Sequence, residues 1–198
     1  MRARTAFILA ALVAVVAGAA PAAAQFSDSY SLIKAVRDKD VAKAREILDK
    51  PGSTSVNARD PATGEAPIHI VTRTRDLAWL GFLLQASADA NARDRDGNTP
   101  LVIAAAQRWT EGVQLLVAIH AVVDRRNNAG ETALIKAATA GDTGNARSLI
   151  EAGADPDLTD NTAGRSARDY ATQRGGAIAK LFADAPKRTR APVQGPVK

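Results

Sequence analysis

Four glycines constrain this chain more than any other feature: Gly64, Gly97, Gly130 and Gly164 stand 33, 33 and 34 residues apart. Each opens a similar stretch. The clearest runs Asp96-Gly97-Asn98-Thr99-Pro100-Leu101 into an apolar segment at 102–106, breaks at 107–109, and resumes as a second helical run over 110–118. A fixed period of this length is the signature of stacked supersecondary units. One unit is too thin to bury its own apolar face, so the units persist only against neighbours. Aromatic residues make up only 4% of the chain and alanine is abundant, which favours thin cores of small side chains between closely stacked helices.

Composition removes several chemistries. There is no cysteine, hence no disulfide, thiolate zinc site or cysteine nucleophile. His69 and His120 are the only histidines, so a histidine-rich metal site is not expected, and no cofactor is. The formal charge of +5 is unevenly placed: Arg2 and Arg4 precede residue 25, while Lys187, Arg188, Arg190 and Lys198 follow residue 184 with no acid among them. Residues 25–184 carry 20 basic and 21 acidic side chains. That near-neutral balance lacks the whole-domain basic footprint of a nucleic-acid binder.

Residues 1–24 read as a secretory signal peptide. Arg2 and Arg4 form the positive n-region, residues 6–17 an uncharged apolar run, and Ala22-Ala23-Ala24 the small-residue cleavage pattern, with cleavage expected near Ala24–Gln25. The run is shorter than the ~20 residues of a bilayer span, and Gly18 and Pro21 interrupt it. No second hydrophobic span follows, so no transmembrane segment is expected after cleavage. The short, alanine-rich form resembles bacterial export signals, which makes the periplasm the expected destination. Residues 185–198 are rich in proline and charge and read as a disordered basic tail.

Between these ends the chain reads as helices and turns. Leu32, Ala35 and Val36 share one face of a first helical run, with Asp28, Ser29 or Ser31 as its N-cap. Val41, Ala44, Ile47 and Leu48 form a second, ended at Pro51-Gly52, and residues 53–55 read as a short polar insertion. Further on, Asn57, Asn91 and Asp124 fall at the corresponding point of successive junctions, each followed by a glycine turn. Thr99 before Pro100 reads as an N-cap followed by proline at the first helical position, and Thr132 and Ser166 serve likewise.

This frame, Gly-x-Thr-Pro-Leu through a short turn and an apolar helix to Asp-x-Asn-Ala, resembles the ankyrin repeat. The resemblance covers nearly all of residues 25–184. It implies an all-α fold: a solenoid of paired antiparallel helices with extended loop or β-turn fingers. The expected divisions are a degenerate cap repeat at 27–58, repeats at about 59–91, 92–124 and 125–158, and a C-terminal cap repeat at 159–183. Departures from the frame mark local irregularity. Arg75 and Arg108 stand where Gly141 and Gly175 keep the inter-helix glycine, and His120 stands where Gly153 ends the next copy. If that turn still needs positive φ, each arginine costs on the order of 1 kcal/mol. Arg168 replaces the buried Leu101 and Leu134, as suits an outer face meeting water.

The family implies that His69 supports a helix start through neighbouring loop backbone, and that such proteins bind other proteins. Trp79 falls at a core position; Trp109, beside Arg108 at the start of a second helix, reads as part-exposed and suited to an interface. Arg93, Arg95, Arg125 and Arg126 cluster at the finger tips, where they would grip an acidic peptide or a phosphate, or pair with the interleaved Asp94, Asp96 and Asp124. The candidate partner-binding set is Arg93, Arg95, Asn98, Gln107, Trp109, Arg126, Asn128, Glu131 and Lys136. No phosphate loop, catalytic triad ordering or paired-carboxylate spacing occurs, and Asp155, Asp157 and Asp160 read as turn chemistry. The expectation is a monomeric, non-enzymatic protein-binding module. Two alternatives remain: attachment of the basic tail to an anionic envelope surface, and an immunity-type inhibitor of a toxin.

Overall fold

A computed structural model describes residues 22–185; residues 1–21 and 186–198, with most of the expected signal peptide and nearly all of the basic tail, lie outside them. Ten helices follow one another: α1 (Ala22–Arg37), α2 (Val41–Leu48), α3 (Pro67–Arg73), α4 (Leu77–Gln85), α5 (Pro100–Ala106), α6 (Thr110–Ala118), α7 (Ala133–Ala140), α8 (Thr143–Glu151), α9 (Ala167–Arg174) and α10 (Gly176–Asp184). Among the described residues no strand forms, and one isolated antiparallel bridge joins Thr159 to Ser166. Odd- and even-numbered helices pair within each repeat. The odd, inner helices stack in succession, as do α4, α6, α8 and α10. This is the all-α solenoid of paired helices that the period requires.

Small side chains keep the layers close. Leu83, Leu116 and Leu149 recur at 33-residue intervals and are all fully buried, while Ala104, Ala137 and Ala171 occupy the matching inner-helix position. Trp79 is buried as expected, with its ring edge-on to Phe82 at 5.4 Å between centroids. The inner helices α5, α7 and α9 start at their expected residues. The side chains of Thr99, Thr132 and Ser166 accept from the backbone N–H three residues on, and Pro67 and Pro100 stand in the first turn. The outer helices carry a second set of caps, Asp40, Asp76 and Asp142, each worth about 1 kcal/mol.

Three expectations need correction. Asp28, Ser29 and Ser31 do not cap α1, because the helix begins at Ala22 and runs through all three; alanine is the strongest helix former and extends the helix upstream. Residues 53–55 are not simply a polar insertion, since a 3₁₀ turn at Ser55–Asn57 tucks Ser55 and Val56 out of water. Nor does Arg168 meet water freely: its side chain is 17% exposed, Nε lies 2.7 Å from Asp157 Oδ1, and Nη1 donates to the Phe182 carbonyl as α10 folds over it.

The inter-helix turns are left-handed in every repeat that holds a non-glycine there. Lys39, Arg75 and Arg108 have φ of 58°, 53° and 57°, and Gly141 has 69°. Side chains are disfavoured in this region because Cβ crowds the following carbonyl. Arg108 is exposed and makes no side-chain hydrogen bond or ion pair among the described residues. Replacing Arg108 with Gly should therefore raise unfolding free energy by about 1 kcal/mol, read as a higher urea midpoint at unchanged slope.

Candidate functional site

The fingers precede the inner helices, and each is a narrow hairpin closed by backbone hydrogen bonds between its arms. Asp60 N–H donates to Glu65 O (2.8 Å), Asp94 to Asn98 (3.0 Å), Asn127 to Glu131 (3.0 Å) and Asp160 to Arg165 (2.9 Å). Neighbouring fingers then join through backbone: Asn128 N–H to Asp96 O at 2.9 Å, and Asn161 N–H to Ala129 O at 2.8 Å. Behind them, Asn57, Asn91 and Asp124 each accept, at 2.8 Å, a backbone N–H of the next repeat, from Asp89, Val122 and Asp155. The recurring junction residues are thus register locks between repeats.

The finger arginines serve the same end. Arg93 Nη2 donates to Asn128 Oδ1 at 3.0 Å, Arg95 Nη2 to Pro61 O at 3.0 Å, and Arg126 to Gly130 O and Asn161 Oδ1, both at 3.0 Å. Asn128 Nδ2 returns a bond to Arg95 O at 2.9 Å. Among these, none pairs with Asp94, Asp96 or Asp124; their partners are carbonyl and amide oxygens. Arg59, which the sequence reading passed over, bridges Gly64 O and Arg93 O. The series Arg59, Arg93 and Arg126, with successive steps of 34 and 33 residues, was the available signal.

Below the fingers a polar strip runs along the inner helices. Arg73 of α3 contacts Glu65 Oε1 at 2.5 Å and Asp94 Oδ2 at 2.7 Å. Asp94 accepts from Asn98 N–H at 2.8 Å, Asn127 Nδ2 donates to Asn98 Oδ1 and to Glu131 Oε2, both at 2.9 Å, and Lys136 Nζ lies 2.5 Å from Glu131 Oε2. Gln107 Nε2 ties the strip's edge to Arg73 O at 3.0 Å. Burial by itself would raise the Glu131 carboxyl, but the hydrogen bonds from Lys136 and Asn127 outweigh it and hold it below the usual range. The strip borders two adjoining open clefts that share Asn98 and Lys136, the larger of about 360 Å³. Asn98, Gln107, Glu131 and Lys136 of the candidate set meet here; Arg93, Arg95, Arg126 and Asn128 stand above them on the fingers. Arg73 and Asn127 are the members that sequence reading missed.

The family model for ankyrin repeats (3 copies) matches residues 23–127 and 68–160. The chain belongs to the ankyrin-repeat family. It is similar to neurogenic locus notch homolog protein 1 of Xenopus laevis (34% identical over 136 residues, 68% of this chain and 5% of that protein) and of Homo sapiens (37% over 119 residues, 59% and 5%). It is also similar to the 2-5A-dependent ribonuclease of Mus musculus (34% over 80 residues, 40% and 11%). The similarity thus spans about a tenth or less of these relatives' length, and their activities as whole proteins do not come with it.

Within this ankyrin stack His69 is fully buried. Its Nδ1 accepts from Ala66 N–H at 3.0 Å, so Nε2 carries the proton and donates to Ala92 O (3.0 Å) and Asn98 O (3.2 Å). The imidazole is therefore neutral and ties α3 to the next finger, in the supporting role expected from the family. Among the described residues no group of three His, Asp or Glu side chains is placed to hold a metal ion.

Trp109 departs from its expected exposure. It is 6% exposed, N-caps α6 where three other outer helices have aspartate, and lies over Gly112. A Cβ on Gly112 would fall inside the indole. The left-handed turn at Arg108 swings Trp109 inward and Gly112 makes room, so it is core mass and not an interface anchor. Gly112→Ala should cost about 1–3 kcal/mol through overpacking, with a changed Trp109 fluorescence maximum; unchanged emission and stability would contradict this placement.

Burial depresses the His69 pKa, so as pH falls the unfolded chain takes up the proton first. The stability tied to neutral His69 is complete above about pH 6.5 and is lost as pH falls through the lower folded value. Glu131 and Asp160, both held low, add a further loss below about pH 4. The melting temperature should fall between about pH 7 and 5, and His69→Gln should flatten that part of the profile while lowering the starting value.

Proposed function

We propose that this ankyrin-repeat protein is exported to the periplasm, where it acts without catalysis by holding another protein against its finger and inner-helix face. One observation carries the reading. The clefts along that face are lined by residues of successive repeats, Arg73, Asn98, Gln107, Asn127, Glu131 and Lys136, which makes an extended, polar surface in place of an enclosed pocket. Extended surfaces built from stacked repeats suit macromolecular partners. Every charge on the strip already has a partner, so binding here exchanges hydrogen bonds and derives specificity from their pattern. Export rests on the three-part pattern of residues 1–24, and cleavage after Ala24 leaves α1 from Gln25 onward.

The test is site-specific photo-crosslinking from position 107 in cells, followed by mass spectrometry. The reading expects a mature N-terminus at Gln25 and one discrete protein adduct. It also expects that adduct to disappear in Lys136→Glu and to persist in Gln114→Ala on the outer face. An adduct indifferent to Lys136→Glu removes this face from consideration, and an intact N-terminus removes export.

A further inference from the structure

The end of the inner helices opposite the fingers carries a row of cations of which, among the described residues, only the first meets a carboxylate. The inter-helix turn holds Lys39 in the first repeat, Arg75 in the second and Arg108 in the third. In the fourth the turn residue is Gly141, and the side chain of Arg174 from the fifth repeat lies over it, where any Cβ at Gly141 would collide with its Nε. Arg174 Nη1 donates to Thr139 O at 3.0 Å. Four consecutive turns therefore each present one positive group, and all four side chains belong to exposed residues.

Their counter-charges differ. Lys39 Nζ lies 2.8 Å from Asp76, the N-cap of the next outer helix. The equivalent acceptor for Arg75 would be residue 109, which is Trp109. Arg75 donates instead to the neutral carbonyl of Gln107, and Arg174 likewise meets only a carbonyl. Arg108 has no ion pair among the described residues. Asp40, Asp76 and Asp142 stand beside the first, second and fourth turns, each accepting from its own helix start. Glu111 lies two residues beyond Trp109 on the outer helix and forms no ion pair with either arginine. Trp109 in place of an acidic cap removes the counter-charge from Arg75, whereas the equivalent acceptor for Arg108, Asp142, is present but has its second oxygen taken by Asn145 Nδ2 at 2.7 Å. Both arginines are held in left-handed conformations that glycine would adopt without strain.

We propose that this turn edge is a second docking surface, independent of the finger face, and that it binds an extended acidic segment of a protein. Stacked helices lie about 8–10 Å apart, and an extended polyproline II chain rises about 3.1 Å per residue and returns every third side chain to the same face. A carboxylate at every third residue therefore meets one cation per repeat. Guanidinium groups suit such partners, since each engages a carboxylate with two parallel hydrogen bonds. A flat anionic surface fits less well, because the row is one residue wide and flanked by Asp40, Asp76 and Asp142.

The test is fluorescence anisotropy of the full chain with a labelled peptide carrying glutamate at every third residue and serine or glycine between. Comparison probes are the same composition with its glutamates clustered, and phosphatidylglycerol vesicles. The spaced peptide should bind best, and its affinity should drop several-fold between about 50 and 300 mM salt. Arg75→Ala with Arg108→Ala should weaken it about tenfold, while Arg147→Ala, an exposed cation off the row, should not. The basic tail is common to all variants, so the difference between them reads the edge alone. Arg108→Gly separates binding from folding: it should weaken the peptide while raising the thermal midpoint. Equal binding by the double variant, no preference for the spaced peptide, or capture of vesicles but not peptide would each overturn the assignment.

Discussion

A finger one hairpin wide cannot satisfy its own backbone. Backbone bonds close each turn, and Asp60, Asp94, Asn127 and Asp160 accept amides of their own fingers. Other finger amides and carbonyls face the neighbouring repeat, and buried or crowded backbone groups left unpaired cost free energy. The structure answers this with side chains set once per period. Asn57, Asn91 and Asp124 take amides from the following repeat, while Arg59, Arg93 and Arg126 reach carbonyl or amide oxygens there. Slide one repeat against its neighbour and all of these bonds break together. Register along the solenoid thus depends on polar contacts, while the alanine-rich core between the helices supplies closeness more than uniqueness.

The same economy shapes the turns. A left-handed residue between inner and outer helices is needed wherever the chain must reverse within three residues, and glycine does this without strain. Lys39, Arg75 and Arg108 do it with side chains attached, which places charge along one edge. Trp109 fits beside Arg108 because Gly112 leaves a gap in the first turn of α6. These local departures from the repeat frame are coupled: the cap lost at Trp109 is also the counter-charge lost to Arg75.

Two surfaces of different character result. On the finger face each charged group already has a partner, as Arg73 has Glu65 and Asp94, and Lys136 has Glu131. A ligand there competes with existing bonds, so shape and pattern govern its recognition. On the turn edge Arg75 meets a neutral carbonyl and Arg108 makes no ion pair among the described residues, so an anion there would be drawn by Coulomb attraction that salt screens. One stack in this way presents two chemically distinct surfaces.

Sequence alone determined the period, the number and pairing of the helices, the caps at Thr99, Thr132 and Ser166, and the burial of Trp79. These follow from spacing, from proline and glycine conformations, and from helical periodicity, all of which act within a few residues. It also marked Asn57, Asn91 and Asp124 as equivalent, without saying what they do. Only the tertiary structure decided where the finger arginines point, that Arg168 is covered by α10, that Trp109 turns inward, and that Arg174 reaches back over Gly141. Those outcomes depend on atoms about a full repeat away for the finger arginines and Arg174, on the following helix for Arg168, and on a gap left by a missing Cβ for Trp109. A linear reading sees which residues recur, whereas the partner of a long side chain is set by what the neighbouring repeat leaves unoccupied.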